Sequence, residues 1–307
     1  GGLEAVLPGM RVMGQLDGLD LVLAYDNFQG GNRLGIVDRA SGAITEVGRV
    51  GGRMRPIEFA PDGSRVLYGE SGDAWVHNLD TEVDQALLFS AESETDPNFS
   101  SDGTEVLYVR GARDLHVVAA DGSSPPRPID PPSGNAGAID SNVWFGLDMD
   151  WVGDRIVVGV QLEEGADYDL LQFPLSDPAA AYVVKADPTS EGHPALSPDG
   201  RFLAYTSDES GRNEIYVTTF PDGGGTWRIS QQGGEMPRWR GDGRELFFVW
   251  DNRIHVVTID ATAGFVFGAP DVAYETESGV DLRDFGGRTY DVSPDGSRFV
   301  VRVRPES

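Results

Sequence analysis

A chain of 307 residues has room for two average domains or for one large all-β ring. Hydrophobic residues at 39% exclude a disordered chain, and 40 Gly with 19 Pro exclude a helical bundle. A net charge of -26, from 50 acidic against 24 basic residues, repels phosphate backbones and argues against a nucleic-acid partner, while the lack of Cys removes disulfides, thiolate nucleophiles and Cys-bound zinc.

The first residues, Gly1-Gly2-Leu3-Glu4, hold neither an initiator Met nor a signal peptide, so the chain reads as a cut or processed piece of something longer. No apolar run approaches the roughly 18 residues of a membrane span. Short apolar runs at 3–7 and 11–13 precede a turn at Asp17-Gly18, the run Leu21-Val22-Leu23-Ala24-Tyr25 and a strand at 44–47. One pattern then recurs, an apolar run, a Gly turn and a second apolar run. It appears first as Ile57-Glu58-Phe59-Ala60-Pro61-Asp62-Gly63-Ser64-Arg65-Val66-Leu67-Tyr68. The same pattern centres on Gly103, on Gly200 in Ser197-Pro198-Asp199-Gly200, on Gly243 and on Gly296 in Ser293-Pro294-Asp295-Gly296. Weaker copies centre on Gly18 and on Gly153.

In such a turn Pro or Ser opens the bend, Asp bonds the local backbone and Gly takes a positive φ, so each anchor is a hairpin between two strands. A third strand follows, as in Asp114-Leu115-His116-Val117-Val118 and Glu214-Ile215-Tyr216-Val217-Thr218, and a fourth as in Trp227-Arg228-Ile229-Ser230. Four short strands per unit of about 45 residues is the blade of a β-propeller, and no segment carries a sustained helical period. The fold class is therefore all-β, a single propeller over residues 1–307.

Seven anchors favour seven blades. The last unit has only its first two strands, 290–293 and 298–302, and residues 3–7 and 11–13 are expected to complete it and close the ring. Six blades is the alternative, reached if strands within 19–50 share a sheet with the C-terminal strands.

The Ser-Pro-Asp-Gly turns and the Glu-Ile-Tyr-Val type of third strand resemble the TolB-like, WD-like bacterial propeller repeat over nearly the whole chain. Residues 193–307, with Gly225-Thr226-Trp227-Arg228-Ile229-Ser230 and Pro237-Arg238-Trp239-Arg240, are similar to the sensor propellers of bacterial receptor-type Ser/Thr kinases. This resemblance implies a periplasmic or extracellular module that binds a protein or peptide partner rather than one that catalyses. Lys185 as the only lysine makes an acid-rich, lysine-poor surface that suits high salt or an extracellular setting, although a GC-rich genome gives the same bias.

The lead-ins to the innermost strands carry Arg55, Asp96, His193 and Met236, unlike residues at one repeated position, and are the expected ligand-binding ring at the channel mouth. Asp148, Asp150 and Asp154 lie in the most aberrant unit, next to an insertion at 131–144 and an acidic loop at 163–169. Carboxylates this dense could bind Ca²⁺, but their spacing fits no EF-hand and an acidic chain yields such clusters by composition; no other cofactor is expected. His116 and His255 align with Tyr216 and Trp75 as a repeated packing position. Asp284-Phe285-Gly286 lacks the other kinase motifs and reads as a turn. Asp222-Gly223-Gly224-Gly225-Thr226-Trp227 matches the core of a structural Asp-box, which gives no support for glycosidase activity. The functional reading is thus a sensor or scaffold propeller. Its rivals are a propeller lyase or esterase centred on His193 and a structural subunit of a larger extracellular assembly.

Overall fold

The computed structural model describes residues 10–16, 19–25, 31–51, 54–88, 92–111, 114–130, 144–162, 167–185, 188–277, 279–282 and 287–304. Their strands form six antiparallel blades. Blade 1 is Tyr290–Val292, Arg298–Val303, Asn32–Asp38 and Ile44–Gly51, from the centre outward. Blade 2 is Met54–Phe59, Arg65–Glu70, Asp73–Asn78 and Val83–Leu88, and blade 3 is Glu94–Phe99, Glu105–Arg110, Asp114–Ala119 and Arg127–Pro128. Blade 4 is Trp144–Val152, Arg155–Gln161, Asp169–Pro174 and Tyr182–Lys185, and blade 5 is Glu191–Leu196, Phe202–Ser207, Glu214–Thr219 and Thr226–Arg228. Blade 6 is Glu235–Trp239, Glu245–Trp250 and Arg253–Asp260, whose outer edge is shared by Val266–Phe267 and Asp271–Glu275. The innermost strands touch in order and the last touches the first, which closes the ring.

The ring has six blades, not the seven that the anchor spacing favoured. The edge of Arg298–Val303 is paired by Asn32–Asp38, with Phe299 opposite Val37 and Val301 opposite Gly35, so the two ends of the chain build one sheet. This is the alternative closure. Met10–Leu16 does not complete the last blade; it pairs with Leu19–Tyr25 in a separate two-stranded sheet. Gly18, residues 3–7 and Asp284-Phe285-Gly286 lie outside the described residues.

The turns behave as their chemistry requires. Gly63, Gly103, Gly200, Gly243 and Gly296 have φ between 69° and 74°, and the preceding Asp accepts from the backbone N–H two residues on, at 2.9–3.1 Å. Ser100 and Ser293 hydroxyls donate to Asp102 and Asp295 and hold both carboxyls at about 2. The second strand of each blade is sandwiched between neighbouring sheets, so it reads as an unbroken apolar run rather than an alternating one. Val66-Leu67-Tyr68, Val106-Leu107-Tyr108 and Leu246-Phe247-Phe248 are all buried. Opposite them lies the repeated third-strand position: Trp75 faces Tyr68, His116 faces Tyr108, Tyr216 faces Tyr205 and His255 faces Phe248. The two histidines stack on their partners at 5.6 and 5.2 Å between ring centroids, as packing residues do.

Candidate functional site: the plugged channel

Successive residues of a strand face opposite sides, so every second residue of each innermost strand faces the next blade beside the channel. At one level this gives Glu58, Asn98, Asp150, Ala195, Arg238 and Asp291, each opposite the equivalent residue of its second strand. Three of these carboxylates tie one blade to another: Asp291 accepts the Phe59 N–H at 2.8 Å, Glu58 that of Phe99 at 3.0 Å, and Asp150 that of Leu196 at 2.6 Å.

Two residues earlier, Asp96, Asp148, His193 and Met236 all take positive φ, from 48° to 77°, where a bulge breaks the register. Asp148 reaches from there across the axis. One of its oxygens meets Arg288 Nε at 2.9 Å and the other accepts from Arg238 Nη2 at 2.9 Å. Arg288 also donates to Asn98 Oδ1 and stands 3.8 Å from Glu58, while Arg238 Nε lies 3.7 Å from Asp291. All three bracing residues are at most 5% exposed, so the channel is crossed at mid-height by a buried ionic brace. Such a brace is costly to desolvate and costlier to break on one side.

Above the brace a pocket of ≈ 360 Å³ opens among the Pro-Asp-Gly turns. Glu58, Asp150, Asp291, Arg238 and Arg288 form its charged base, and Phe59, Phe99, Trp151 and Trp239 contribute apolar walls. Burial pushes the Glu58 carboxyl up to about 8 against the pull of Arg288, and raises Asp150 and Asp291 as well, against Arg238 first. Burial therefore favours the protonated form of Glu58, opposed by Arg288.

The residues singled out from the sequence fall elsewhere. Arg55 belongs to Met54–Phe59, but its side chain lies outside the described residues. Asp96 is partly exposed; His193 and Met236 are buried, and Met236 packs beneath Tyr290, whose hydroxyl donates to its carbonyl. Of these, Asp96, His193 and Met236 do not line the pocket. Asp148 and Asp150 share the channel, one in the brace and one at the pocket base, whereas exposed Asp154 turns to Ser176 at 2.6–2.8 Å. The three do not meet. Among the described residues no three His, Asp or Glu side chains gather where a metal ion could be held. The 131–143 insertion lies outside the described residues.

Sequence reasoning missed Glu58, Asn98, Arg238, Arg288 and Asp291. A signal existed: three residues before the Pro, Ser or Gly that opens each turn stands a polar residue inside an otherwise apolar strand, in Glu58, Asn98, Arg238 and Asp291. Arg288 precedes the repeat and carries no such mark.

No protein-family profile matches the sequence. Among solved structures, the chain is similar to a putative TolB from Agrobacterium tumefaciens, with a TM-score of 0.66 and 17% identity over 91% of this chain and 100% of that one. It is also similar to TolB from Acinetobacter baumannii, TM-score 0.55 and 13% identity over 91% of this chain and 65% of the other. An oligogalacturonate lyase from Vibrio parahaemolyticus matches with a TM-score of 0.56 and 12% identity over 91% and 85% of the two chains. The likeness is to the TolB-like propeller fold, and at these identities it speaks for the fold alone.

Proposed function

We propose that the protein is a binding propeller without catalytic activity that receives a ligand in the pocket above the Asp148 brace, on the face carrying the Pro-Asp-Gly turns. The brace is the observation that carries this reading. It gives a through-channel a base, and so turns the axis of the ring into a concave pocket with apolar walls and a few fixed polar groups, the usual build of a ligand site. Its charged groups are committed to structure: three carboxylates each hold a backbone N–H and both arginines share Asp148, which suits orientation of a ligand better than proton transfer. The partner is a protein or peptide, and the setting is periplasmic or extracellular; the motif likeness of residues 193–307 to kinase sensor propellers supports both.

A ligand-observed NMR screen of short peptides and small amines tests the reading. Binding at the pocket should be lost in Ala195→Leu, which fills the base, and altered in Asp150→Asn, with both variants still folded. Hits indifferent to both changes would place binding elsewhere, and chemical conversion of a hit would favour an enzyme.

A further inference from the structure

The blades are copies of one another, so a contact made in two of them and missing in a third shows what the third could accept. Arg298 leaves blade 1 two residues after its turn glycine, stacks over Phe59 of blade 2 at 5.5 Å from the ring centroid, and donates to the Gly63 carbonyl at 2.9 Å. Arg65 repeats this between blades 2 and 3, over Phe99 at 5.3 Å and onto Gly103 at 2.9 Å. In both, a proline of the preceding blade's turn, Pro294 or Pro61, lies against the glycine.

Between blades 5 and 6 the receiving half is present and the arginine is not. Trp239 occupies the position of Phe59 and Phe99, Gly243 has the φ of +70° seen at Gly63 and Gly103, and Pro198 stands for Pro61. The residue two after Gly200 is Phe202, whose ring packs on Phe265 and Trp227 at 4.8 and 6.4 Å, lies under the Arg201 guanidinium at 5.4 Å and lines the space beside Trp239. A cavity of ≈ 690 Å³ lies where the guanidinium would be, walled by Trp239 and Gly243, with Asp199, Asp242 and Asp260 around it and Arg201 and Arg244 at its edge. Among the described residues no side chain is seen to donate to the Gly243 carbonyl. Arg201, the nearby cation of blade 5, is held by Asp199 at 2.6 Å and reaches toward the Ala261 carbonyl at 3.4 Å.

We infer that this groove receives an arginine side chain presented by a polypeptide partner, with its guanidinium stacked on Trp239 and bonded to the Gly243 carbonyl. The protein's own Arg65 and Arg298 are the templates. A guanidinium suits an aromatic face and a carbonyl together better than an ammonium does, and the groove's three carboxylates outnumber its two cations, Arg201 and Arg244, which leaves Asp242 to complement its charge. The groove exceeds one side chain in size and shares Pro198, Trp239 and Gly241 with the channel pocket, so a segment held in the pocket can lay an arginine into it. The path of approach rests on the binding reading above; the chemistry of the groove does not.

The test follows the Trp239 indole N–H by NMR, assigned through Trp239→Phe, during titration with Ac-Gly-Gly-Arg-Gly-Gly-NH₂ and its lysine and citrulline analogues. The arginine peptide should give a saturable shift, with the lysine peptide weaker by about fivefold or more and citrulline weaker still. Asp242→Asn, which keeps the turn acceptor, should weaken the arginine peptide. Asp150→Asn in the channel should not, so the groove can succeed where the pocket fails. Equal response to all three peptides, or an arginine response untouched by Asp242→Asn, would overturn the assignment. Free arginine binding as tightly as the peptide would overturn the polypeptide partner.

Discussion

Glu58→Gln should remove a pH dependence that the wild-type protein carries. The Glu58 carboxyl, raised from 4.5 to about 8 by burial, binds a proton in the folded state that the unfolded chain releases between those values. More protons bound in the native state means that stability falls as pH rises: it is fully present below about 4.5, lost progressively up to about 8, and level beyond. A shift of about 3.5 units at about 1.4 kcal/mol each sets a ceiling near 5 kcal/mol. The side chain keeps 15% of its surface exposed at the pocket, and Arg288 lies 3.8 Å away, so a loss of about 2–3 kcal/mol is the better expectation. Gln keeps an oxygen for the Phe99 N–H and has nothing to titrate. Urea unfolding at half-unit steps from pH 5 to 8.5 should show the variant gaining on the wild type as pH rises, by that amount across the range. A constant difference would show that Glu58 is ionised throughout, and the description of the pocket base as a proton-holding site would fail.

Asp148→Ala should cost about 3–5 kcal/mol in urea unfolding, because it leaves two buried guanidinium groups without their shared carboxylate; a midpoint within error of wild type would mean that the arginines are held by something else. Gly63→Val, Gly200→Val and Gly243→Val should each lose about 1–3 kcal/mol, since a β-branched residue is strained at φ near +70°. At Gly200 an added Cβ meets open space, so the cost there is conformational alone, and unchanged melting in all three would remove the left-handed turn from the account. Among the described residues Met10–Leu16 and Leu19–Tyr25 pair only with each other, so deleting residues 1–25 should leave thermal stability unchanged; a large drop in melting temperature would show that they brace the ring after all.

What the sequence discloses depends on how far each interaction reaches along the chain. The Asp-Gly turns are closed by an Asp and an N–H two residues apart, so Pro61-Asp62-Gly63 or Pro294-Asp295-Gly296 is legible as it stands. The third strands are legible too, through repetition: Glu214–Thr219 and Asp114–Ala119 share a pattern, and the histidines among them align with aromatic residues. Blade closure is different. Nothing local says that Arg298–Val303 takes Asn32–Asp38 rather than Met10–Leu16 as its neighbour; both are apolar strands ahead of blade 2, and only ring geometry chooses. The brace is less legible still, because Asp148, Arg238 and Arg288 come from three distant segments that meet only at the axis.

Backbone strain is a poor guide to the site here, because it repeats. Asp96, Asp148, His193 and Met236 share positive φ in four different blades, so the conformation belongs to the bulge that steers an innermost strand toward the axis, whichever side chain it carries. A residue held that way only by a ligand would be an exception to its repeat, and these are the rule. The same logic applied to side chains isolates blade 5. Its axial residue is Ala195, where the other five blades place Glu58, Asn98, Asp150, Arg238 and Asp291, and its residue two after the turn glycine is Phe202, where blades 1 and 2 place Arg298 and Arg65. The first departure makes room at the base of the pocket and the second opens the groove. Both spaces border Trp239, whose indole N–H donates to the Ala195 carbonyl at 3.0 Å and so fixes the ring that separates them. Two independent losses of a polar or charged side chain, converging on one oriented aromatic, are what a surface shaped to take those groups from another molecule would show.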